Sequence, residues 1–464
     1  MRSISSCLTI SLVVTNPLPG TGMNWSPRAY ATPYTNQKSL ITEALSPGLT
    51  QFVYAEEAAR ASLEAKRLES AMARLTASEK QSLSADEAPS IARSLTQKAL
   101  LKIAVVGGGI FGVTTAWNLA MLGYGVDLYD PQGIMHGATS RSNLRTHQGY
   151  YFPSPETAVT AKAVTERFMS VYGAAVIPFT QHYYGVAHKN VMSLTMAAYK
   201  TFLEKMGLPW IDEYPSVFKR GQIPDAIRAS ECILDAGQLR AIGENMLVST
   251  GVHMIPKKAR PEDLSAYDFV VHATYEAINE LIEPADQKDL IFEVVEQVVV
   301  QLPRLFRNLS LVIFGDAMGA IDPRGSSGLH VLSHRTTMAH YENVGKSPVI
   351  TDARYRELLR GDWIKSVQDP ALTHRRAVIS ALSEYVDLTG IEYVGSIYAL
   401  RALGTIALTE AHRPTLVHLL SNGKGSVLLG GKVTTALQAA EQVAKAVQES
   451  YHQTPDGRIR DQAA

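Results

Sequence analysis

Three glycines near residue 107 have the spacing that a bound dinucleotide requires of a polypeptide backbone. The stretch VVGGGIFG places Gly107, Gly109 and Gly112 in the pattern G-x-G-x-x-G. The first glycine permits a tight turn, the second lets the backbone approach a pyrophosphate, and the third lets a helix pack closely on a strand. Ile110 and Phe111 lie between them, where the free N–H groups of a helix start favour bound phosphate. The spacing therefore predicts a pyrophosphate site at this turn.

Asp130 lies where such a site needs an acid. A strand is predicted at Ile103–Val106, a helix follows at Ile110–Leu122, and a second strand, VDLYD, ends on Asp130. The offset from Gly107 is 130 − 107 = 23 positions, close to that of an acid that binds the 2′-hydroxyl of an adenine ribose. A carboxylate here disfavours NADP because it would repel the 2′-phosphate. The unit predicts adenine-dinucleotide binding and leaves NAD and FAD open.

A polar loop follows, with the sequence GATSRSNLRTHQGYYFPSPETA at residues 137–158. It lacks a regular apolar period, so its side chains are expected to serve something other than a core. His147, Tyr150 and Tyr151 are candidates for orienting a substrate and accepting its proton. Of these, His147 has the ordinary pKa nearest to neutrality. The alternative is a surface loop with ordinary hydrogen bonds, in which His147 bonds to the backbone.

The glycine turn and this loop together resemble the FAD-dependent oxidoreductases of the D-amino-acid oxidase superfamily, which includes glycine oxidase, sarcosine oxidase and 2-hydroxyglutarate dehydrogenase. More narrowly, the sequence resembles a poorly characterised branch whose loop reads approximately N-Q-A-R-x-H-x-G-Y-H-Y-P-R-S. The matching residues are Arg145, His147, Gly149, Tyr150 and Pro153. The departures are Tyr151 for the second His, Phe152 for the second Tyr and Ser154 for the second Arg. These departures leave the detailed substrate contacts open.

The resemblance implies roles for further residues. The loop would run along the flavin, which makes Ser140, Asn143 and Arg145 candidate cofactor contacts. The segment AHRPT, residues 411–415, resembles the Arg-Pro segment of the family. Because relatives hold the substrate carboxylate with a nearby arginine, Arg413 is the candidate for that role, and its guanidinium fork suits a carboxylate. The alternative for Arg413 is a structural ion pair or a cap for carbonyl groups.

A second glycine turn lies near the end of the chain, in SVLLGGKVTT. The strand Val427–Leu429 leads into a turn whose candidate cofactor contacts are Gly430, Gly431, Lys432, Val433 and Thr434. In the resembled family a turn of this kind points a helix N-terminus at the N1–C2=O edge of the flavin, where the reduced ring carries negative charge. The two turns together favour FAD over NAD. The alternative is a βα unit that only completes the sheet.

These elements imply an α/β fold in two parts. We expect a Rossmann-like FAD-binding domain of the glutathione-reductase type, assembled from residues 100–165, 230–290 and 400–464. We expect an inserted α+β substrate domain, with a mostly antiparallel sheet, from residues 166–229 and 291–399. Strands are predicted at Pro178–Lys189 and Phe292–Pro303, and helices within Tyr355–Ile364 and Ser366–Gly390. The ligand cleft should lie where the two domains meet.

Composition excludes several classes of protein. Basic and acidic residues number 44 each, so the formal charge is 44 − 44 = 0, which does not suggest a nucleic-acid binder. The two cysteines, Cys7 and Cys232, form no metal-ligand spacing, and we expect no metal site. No apolar run is long enough to span a bilayer. Residues 1–98 are expected to be a partly disordered extension with a helix at about residues 55–76.

The sequence thus predicts an FAD-dependent oxidoreductase that oxidises a C–H bond next to an amine or a hydroxyl. The expected partner is a small amino or hydroxy acid, and the electron acceptor is left open. The alternatives are an NAD-linked dehydrogenase and a flavin-binding protein without turnover. A cytoplasmic location is expected, with an organellar one, directed by an N-terminal transit peptide, as the alternative. His330, His334 and Arg335 form another polar cluster, for which we expect a place on the sheet surface.

Overall fold

Two β-sheets form the framework of the protein in a computed structural model, which describes residues 101–151, 155–361, 363–405 and 414–452. These residues all belong to one compact unit of the chain, Ala77–Ala464. The helix predicted at residues 55–76 and the candidate Arg413 lie outside the described residues. So do Phe152, Pro153 and Ser154 of the polar loop.

The described chain alternates between strands and helices. The strands, in chain order, are β1 (Lys102–Val106), β2 (Gly125–Tyr129), β3 (Gln181–Val186), β4 (Trp210–Asp212), β5 (Asp225–Ala229), β6 (His253–Ile255), β7 (Phe269–His272), β8 (Leu290–Gln301), β9 (Leu309–Phe314), β10 (Met318–Pro323), β11 (His330–His334), β12 (Ala339–Gly345), β13 (Glu392–Gly404), β14 (Leu416–Leu419) and β15 (Gly425–Leu429). The α-helices are α1 (Ile110–Met121), α2 (Ala138–Arg141), α3 (Pro155–Tyr172), α4 (Met196–Lys205), α5 (Ala236–Thr250), α6 (Pro261–Leu264), α7 (Ala353–Leu358), α8 (Arg375–Tyr385) and α9 (Ala436–His452).

The first sheet has six strands in the order β14-β15-β7-β1-β2-β6. All its pairings are parallel except that of β14 with β15. Its central strands are short runs of β-branched and other apolar residues that are buried on both faces, as a parallel sheet covered by helices requires. Helix α1 packs against α5 and α9 over a core that includes Ile103, Val113 and Val443. This is the predicted dinucleotide-binding sheet.

The second sheet has nine strands. Eight follow the order β12-β8-β11-β10-β9-β3-β5-β4, and β13 pairs with β8 along residues 290–301. Every pairing is antiparallel except that of β3 with β9. The α/β fold with a mostly antiparallel second sheet is therefore confirmed. The strands of the two sheets alternate along the chain, so the domain ranges given above remain our proposal for how it is divided.

Two helices are shorter than predicted, and two histidines are more buried. Helix α7 ends at Leu358, before Gly361 takes a left-handed φ of 64°. Helix α8 starts only at Arg375, and a proline at position 370 disfavours a helix that continues through the residue before it. His330 and His334 are buried, not on the sheet surface. Alternate residues of a strand share a face, and on this face of β11 lies Leu332, which is part of a hydrophobic core.

A buried carboxylate joins the second sheet to the helical segment behind it. Glu296 of β8 has no exposed surface. It accepts hydrogen bonds from His340 Nε2 at 2.9 Å, Thr373 Oγ1 at 2.6 Å, the His374 backbone N–H at 2.6 Å and Ser396 Oγ. The rings of His340 and His374 stack with centroids 3.9 Å apart. Because four donors meet one carboxylate, this network requires the ionised form of Glu296.

We expect the Glu296 network to make the protein sensitive to acid. Burial alone would raise the pKa of Glu296, but the hydrogen bonds from His340, Ser396 and Thr373 outweigh it and hold the pKa below 4.5, its ordinary value. The resulting stabilisation is fully present above that value and is lost as the pH falls through the lowered pKa. Glu296→Gln should lower the free energy of unfolding at pH 7 by about 1–3 kcal/mol. Urea denaturation at pH 7 and at pH 4 measures this change.

The matched control is Glu342→Gln, which changes an exposed glutamate on the neighbouring strand β12. We expect its free energy of unfolding to stay within about 0.5 kcal/mol of that of the parent protein at both pH values. An E296Q protein as stable as the E342Q protein at pH 7 would show that the network contributes nothing.

None of the helices in the described part of the chain has both the length and the apolar character needed to cross a membrane.

Candidate cofactor and substrate site

One cavity of about 350 Å³ brings both glycine turns together. Gly107, Gly109, Ile110 and Phe111 of the first turn line it. From the second turn it is lined by Gly430, Gly431, Lys432 and Val433. Its other wall is the second sheet, which contributes Val295, Gln297, Met318, Ser333, Ala399 and Arg401. The cavity therefore lies between the parallel sheet and the antiparallel sheet, as predicted for the ligand cleft.

The absence of a side chain serves a different purpose at each of the three glycines of the first turn. Gly107 has φ +108°, and a Cβ there would lie 2.5 Å from the carbonyl oxygen of Ala273. A Cβ on Gly112 would overlap the carbonyl oxygen of Gly107, so Gly112 serves helix packing and does not line the cavity. Gly109 is different, since its φ of −65° suits any residue and an added Cβ would meet only Thr139 Oγ1, at 3.6 Å. The first and third glycines are needed by the fold, and the space beside Gly109 belongs to the cavity.

Two hydrogen bonds hold the side chain of Asp130 beside this turn. One carboxylate oxygen accepts a hydrogen bond from the Gly108 N–H at 2.7 Å, and the other accepts one from the Gln132 N–H at 2.8 Å. The side chain also lines the cavity. It lies there because β1 and β2 are parallel and in register, with Val106 opposite Tyr129, so both strands end at one edge of the sheet. An acid held at that edge fits the predicted contact with a ribose hydroxyl.

The second turn touches the first. A Cβ on Gly430 would overlap the ring of Phe111, so a glycine is needed where the two turns pack together. The Gly431 N–H donates to Thr415 Oγ1 at 3.0 Å. Val433 begins a short 3-10 helix, Val433–Thr435, that leads into α9. Thr434 is buried and does not line the cavity, so its predicted contact with the cofactor is not supported.

The polar loop contributes only some of its predicted residues. Asn143, Arg145, His147 and Tyr151 line the cavity. Ser140 and Tyr150 do not line the cavity, which corrects the predictions that they contact cofactor and substrate, respectively. Ser140 is buried and its hydroxyl donates to the carbonyl of Met135. Tyr150 is buried, and its hydroxyl donates to the carbonyl of Pro209 at 2.6 Å, so it supports the loop from behind.

Arg145 lines the cavity but its guanidinium faces the protein. Nη1 lies 2.6 Å from Glu231 Oε2, and Nη2 donates to Ser310 Oγ at 2.7 Å and pairs with Asp322. Burial by itself would lower the pKa of Arg145, but Asp322 and Glu231 raise it above its ordinary value. Asn143 donates to the same Asp322. Arg145 is therefore a buried anchor for the loop, which corrects its prediction as a direct cofactor contact.

His147 occupies an unusual backbone conformation. Its φ is +47°, in the left-handed region that few residues other than glycine adopt. Its ring meets that of Tyr151 edge-on, with centroids 5.2 Å apart. Strain of this kind persists where the surrounding structure determines the conformation, and it is concentrated at functional sites. His147 and Tyr151 remain the candidates of this loop for contact with substrate.

Five cavity residues with charged or amide side chains were not predicted from the sequence as site residues: Arg141, Glu276, Gln297, Arg335 and Arg401. Arg141 is buried, and its Nη1 and Nη2 donate to the carbonyls of Tyr398 at 3.2 Å and Gly361 at 3.0 Å. Gln297 interrupts the β-branched run of β8, and a polar residue in such a run is a signal that could have found it. Arg335 was predicted to lie on the sheet surface with His330 and His334, and the structure places it in the cavity lining instead.

Residues 102–214 contain the first turn and the polar loop, and they match the family described as FAD dependent oxidoreductase. The chain therefore carries an FAD-dependent oxidoreductase domain. FAD is the cofactor of this family, so the NAD-linked alternative is set aside. No curated protein sequence matches the chain.

Solved structures of this fold resemble the oxidoreductase over three quarters of its length. Glycine oxidase from Geobacillus kaustophilus has a TM-score of 0.55 at 16% identity, covering 75% of this chain and 95% of that chain. L-amino acid deaminase from Proteus vulgaris has a TM-score of 0.54 at 12% identity, covering 75% and 94%. L-alpha-glycerophosphate oxidase from Mycoplasma pneumoniae, with FAD bound, has a TM-score of 0.55 at 12% identity, covering 75% and 94%. At these identities the likeness establishes the fold.

The residues of the oxidoreductase fit FAD. Gly109 leaves the backbone bare on the cavity side, where a pyrophosphate needs a close approach. Asp130 stands at the end of β2 in the place of the ribose-binding acid. The second turn and Val433 bring the start of the 3-10 helix to the same cavity. The first turn is thus suited to the phosphates, and the second turn lines the same cavity.

Proposed function

We propose that this oxidoreductase oxidises the C–H bond next to an amine or a hydroxyl of a small acid that carries a carboxylate. The observation that carries the proposal is the make-up of the cavity walls. One wall holds the two glycine turns, and the facing wall of the antiparallel sheet holds Gln297 and Arg401, with Arg335 just beyond β11. Apolar residues such as Val295 and Met318 line the same cavity. A polar substrate would be bound at few points in a largely apolar site.

FAD supplies the acceptor for the hydride, and the protein supplies binding and orientation. Phe111 and Gly430 hold the two turns in contact, so the cofactor's two ends are positioned by one rigid unit. The N–H groups at the start of the 3-10 helix that precedes α9 favour negative charge beside the second turn. Lys432 adds a positive charge to that wall.

Arginine side chains on the substrate wall suit a carboxylate. Arg401 is mostly buried, and its Nη1 lies 3.3 Å from Glu293 Oε2. A guanidinium keeps its positive charge, and its planar set of N–H donors matches the two oxygens of a substrate carboxylate. Arg335 lines the same wall. The role expected for Arg413 thus has two further candidates among the described residues.

The groups for the amine or hydroxyl are Gln297 and His147. The Gln297 amide oxygen is buried and has no hydrogen-bond partner among the described residues. A buried acceptor without a partner is costly, and an amine or hydroxyl of the substrate would satisfy it. His147 lines the cavity beside Tyr151, and a neutral imidazole there would accept the proton that the substrate nitrogen or oxygen loses.

The test is anaerobic reduction of the purified yellow protein by a panel of amino and hydroxy acids. We expect one member to bleach the flavin band, and its decarboxylated analogue to do so much less well. Arg401→Met should raise KM for the active acid by about tenfold to a hundredfold, the range for losing a hydrogen bond to a charged group. The flavin content of this variant should not change, because Arg401 belongs to the substrate wall.

The matched control is Arg376→Met, on the exposed side of α8. Its KM should equal that of the parent protein. Failure of every acid to bleach the flavin would favour a flavin-binding protein without turnover. Equal rates for an acid and its decarboxylated analogue would remove the proposed role of the arginines.

A further inference from the structure

Glu276 lies beside the turn that suits the pyrophosphate. Strand β7 pairs with β1, with His272 opposite Val106, so both strands end at the same edge of the sheet. Beyond them the Ala273 N–H donates to the carbonyl of Val106 at 2.8 Å, and the Ala273 carbonyl is what a Cβ on Gly107 would strike. The segment 273–276 therefore runs along the glycine turn. Glu276 lines the same cavity as Gly109 and Asp130.

The backbone around Glu276 holds its side chain in this place. Tyr275 has φ +54°, in the left-handed region, and begins the 3-10 helix Tyr275–Ala277. A non-glycine residue keeps such a conformation only where its surroundings determine it. Glu276 is half-buried on the short helix that follows. The backbone that carries Glu276 is thus held beside the turn by the fold.

The charged groups around Glu276 are mostly acidic. Burial is the main cause that raises the pKa of Glu276, to about 7; a hydrogen bond from its own backbone N–H opposes this rise, and the charges of Glu280 and Asp130 add to it. Arg141 is the opposing positive charge. Its Nη1 and Nη2 donate to the carbonyls of Tyr398 and Gly361. Glu280 in turn forms an ion pair with Lys258 at 2.7 Å.

A bound pyrophosphate would favour the protonated form of Glu276 further. It brings additional negative charge to a cavity that already contains Asp130, and like charges at short range favour the neutral form of a carboxyl group. An ionised Glu276 would repel the phosphates, whereas a protonated Glu276 has an O–H that can donate to a phosphate oxygen. We propose that Glu276 faces the pyrophosphate of FAD as a neutral carboxylic acid, so that the protein takes up a proton when it binds the cofactor.

This proposal makes the affinity for FAD depend on pH. Below about pH 7 Glu276 is already protonated before the cofactor binds, so the affinity is at its highest. As the pH rises, the free protein loses this proton and must regain it on binding. The dissociation constant for FAD then increases by up to about tenfold per pH unit, the limit for one linked proton. The increase stops when the pH passes the pKa of Glu276 in the complex.

The experiment compares the parent protein with Glu276→Gln, which keeps the shape and the donor but cannot ionise. Release of FAD from the full-length holoprotein after dilution is followed by flavin fluorescence between pH 6 and pH 9. We expect the dissociation constant of the parent protein to rise by about tenfold or more across this range. That of the E276Q protein should stay constant. Glu283→Gln, a change to an exposed acid that does not contribute to the pKa of Glu276, is the matched control and should keep the parent's rise.

Two outcomes would overturn the proposal: a parent protein whose affinity is constant over this range, or an E276Q protein with the same rise as its parent. Equal melting temperatures of the parent and E276Q proteins without added FAD would show that the substitution leaves the fold intact. The proposal rests on the assignment of FAD to this cavity. A parent protein that binds no FAD at any pH would refute that assignment, whereas pH-independent binding would refute the role of Glu276 alone.

Discussion

Replacing Gly109 by valine is expected to give a folded protein that contains no FAD and is colourless. The backbone at this position has φ −65°, which valine adopts readily. An added Cβ would meet only Thr139 Oγ1, at 3.6 Å, so the free protein has room for a Cβ at this position. The same side chain occupies the space through which the backbone approaches the pyrophosphate. We therefore expect affinity for FAD to fall by at least about a hundredfold, while stability changes little.

The measurement is the visible spectrum of the purified protein, with the melting temperature taken without added FAD. Gly221→Val is the matched control, because no atom lies within 4 Å of a Cβ at this position and it is away from the cavity. That protein should stay yellow. Gly112→Val is a contrasting variant that should fail to fold, since its Cβ would overlap the Gly107 carbonyl. Stoichiometric flavin in the G109V protein would refute the assignment of the turn.

Replacing Arg145 by leucine is expected to lower the stability of the protein strongly. Arg145 is buried between two buried carboxylates, Glu231 and Asp322. Its loss would leave both of them without their countercharge in a site from which water is excluded. Breaking a buried ion pair in this way costs about 3–5 kcal/mol. The Arg145→Leu protein should therefore unfold at a much lower urea concentration or fail to accumulate.

The matched control is Arg228→Leu, which removes an ion pair with Glu213 at 2.8 Å that is about one third exposed on both sides. Surface pairs of this kind contribute about 1 kcal/mol or less. The triple variant Arg145→Met, Glu231→Gln and Asp322→Asn removes the charges together and should regain part of the stability. An R145L protein that is as stable as the R228L protein, but has lost its flavin, would instead support the cofactor contact first predicted for Arg145.

Sequence reasoning succeeded where the structure is local. The first turn, its flanking strand and helix, and Asp130 form one unit between residues 102 and 130. Their conformation follows from glycine content and from alternation within a few residues, so spacing alone was informative. The same holds for the strand that leads into Gly430. Parallel pairing of these strands then places both turns at one edge of one sheet.

Which side chains of the polar loop line the cavity could not be predicted from the neighbouring residues in the sequence. Tyr150 and Tyr151 are adjacent and of the same type, yet one is buried behind the loop and the other lines the cavity. An irregular loop has no period that assigns alternate residues to opposite faces, so the sequence could not separate them. His147 could be identified as a candidate from its type, but its left-handed backbone is visible only in three dimensions.

By itself, the sequence determined the fold class, the glycine turns and the acid that ends β2, because each depends on residues that are close together in the chain. Only the tertiary structure decided that Arg145 faces Glu231 and Asp322, which are 86 and 177 positions away. It also decided that Gln297 and Arg401 face the cofactor turns and that Glu276 lies among acids beside Gly107. Charge and burial depend on neighbours in space, and distant strands bring those neighbours together only when both sheets have formed.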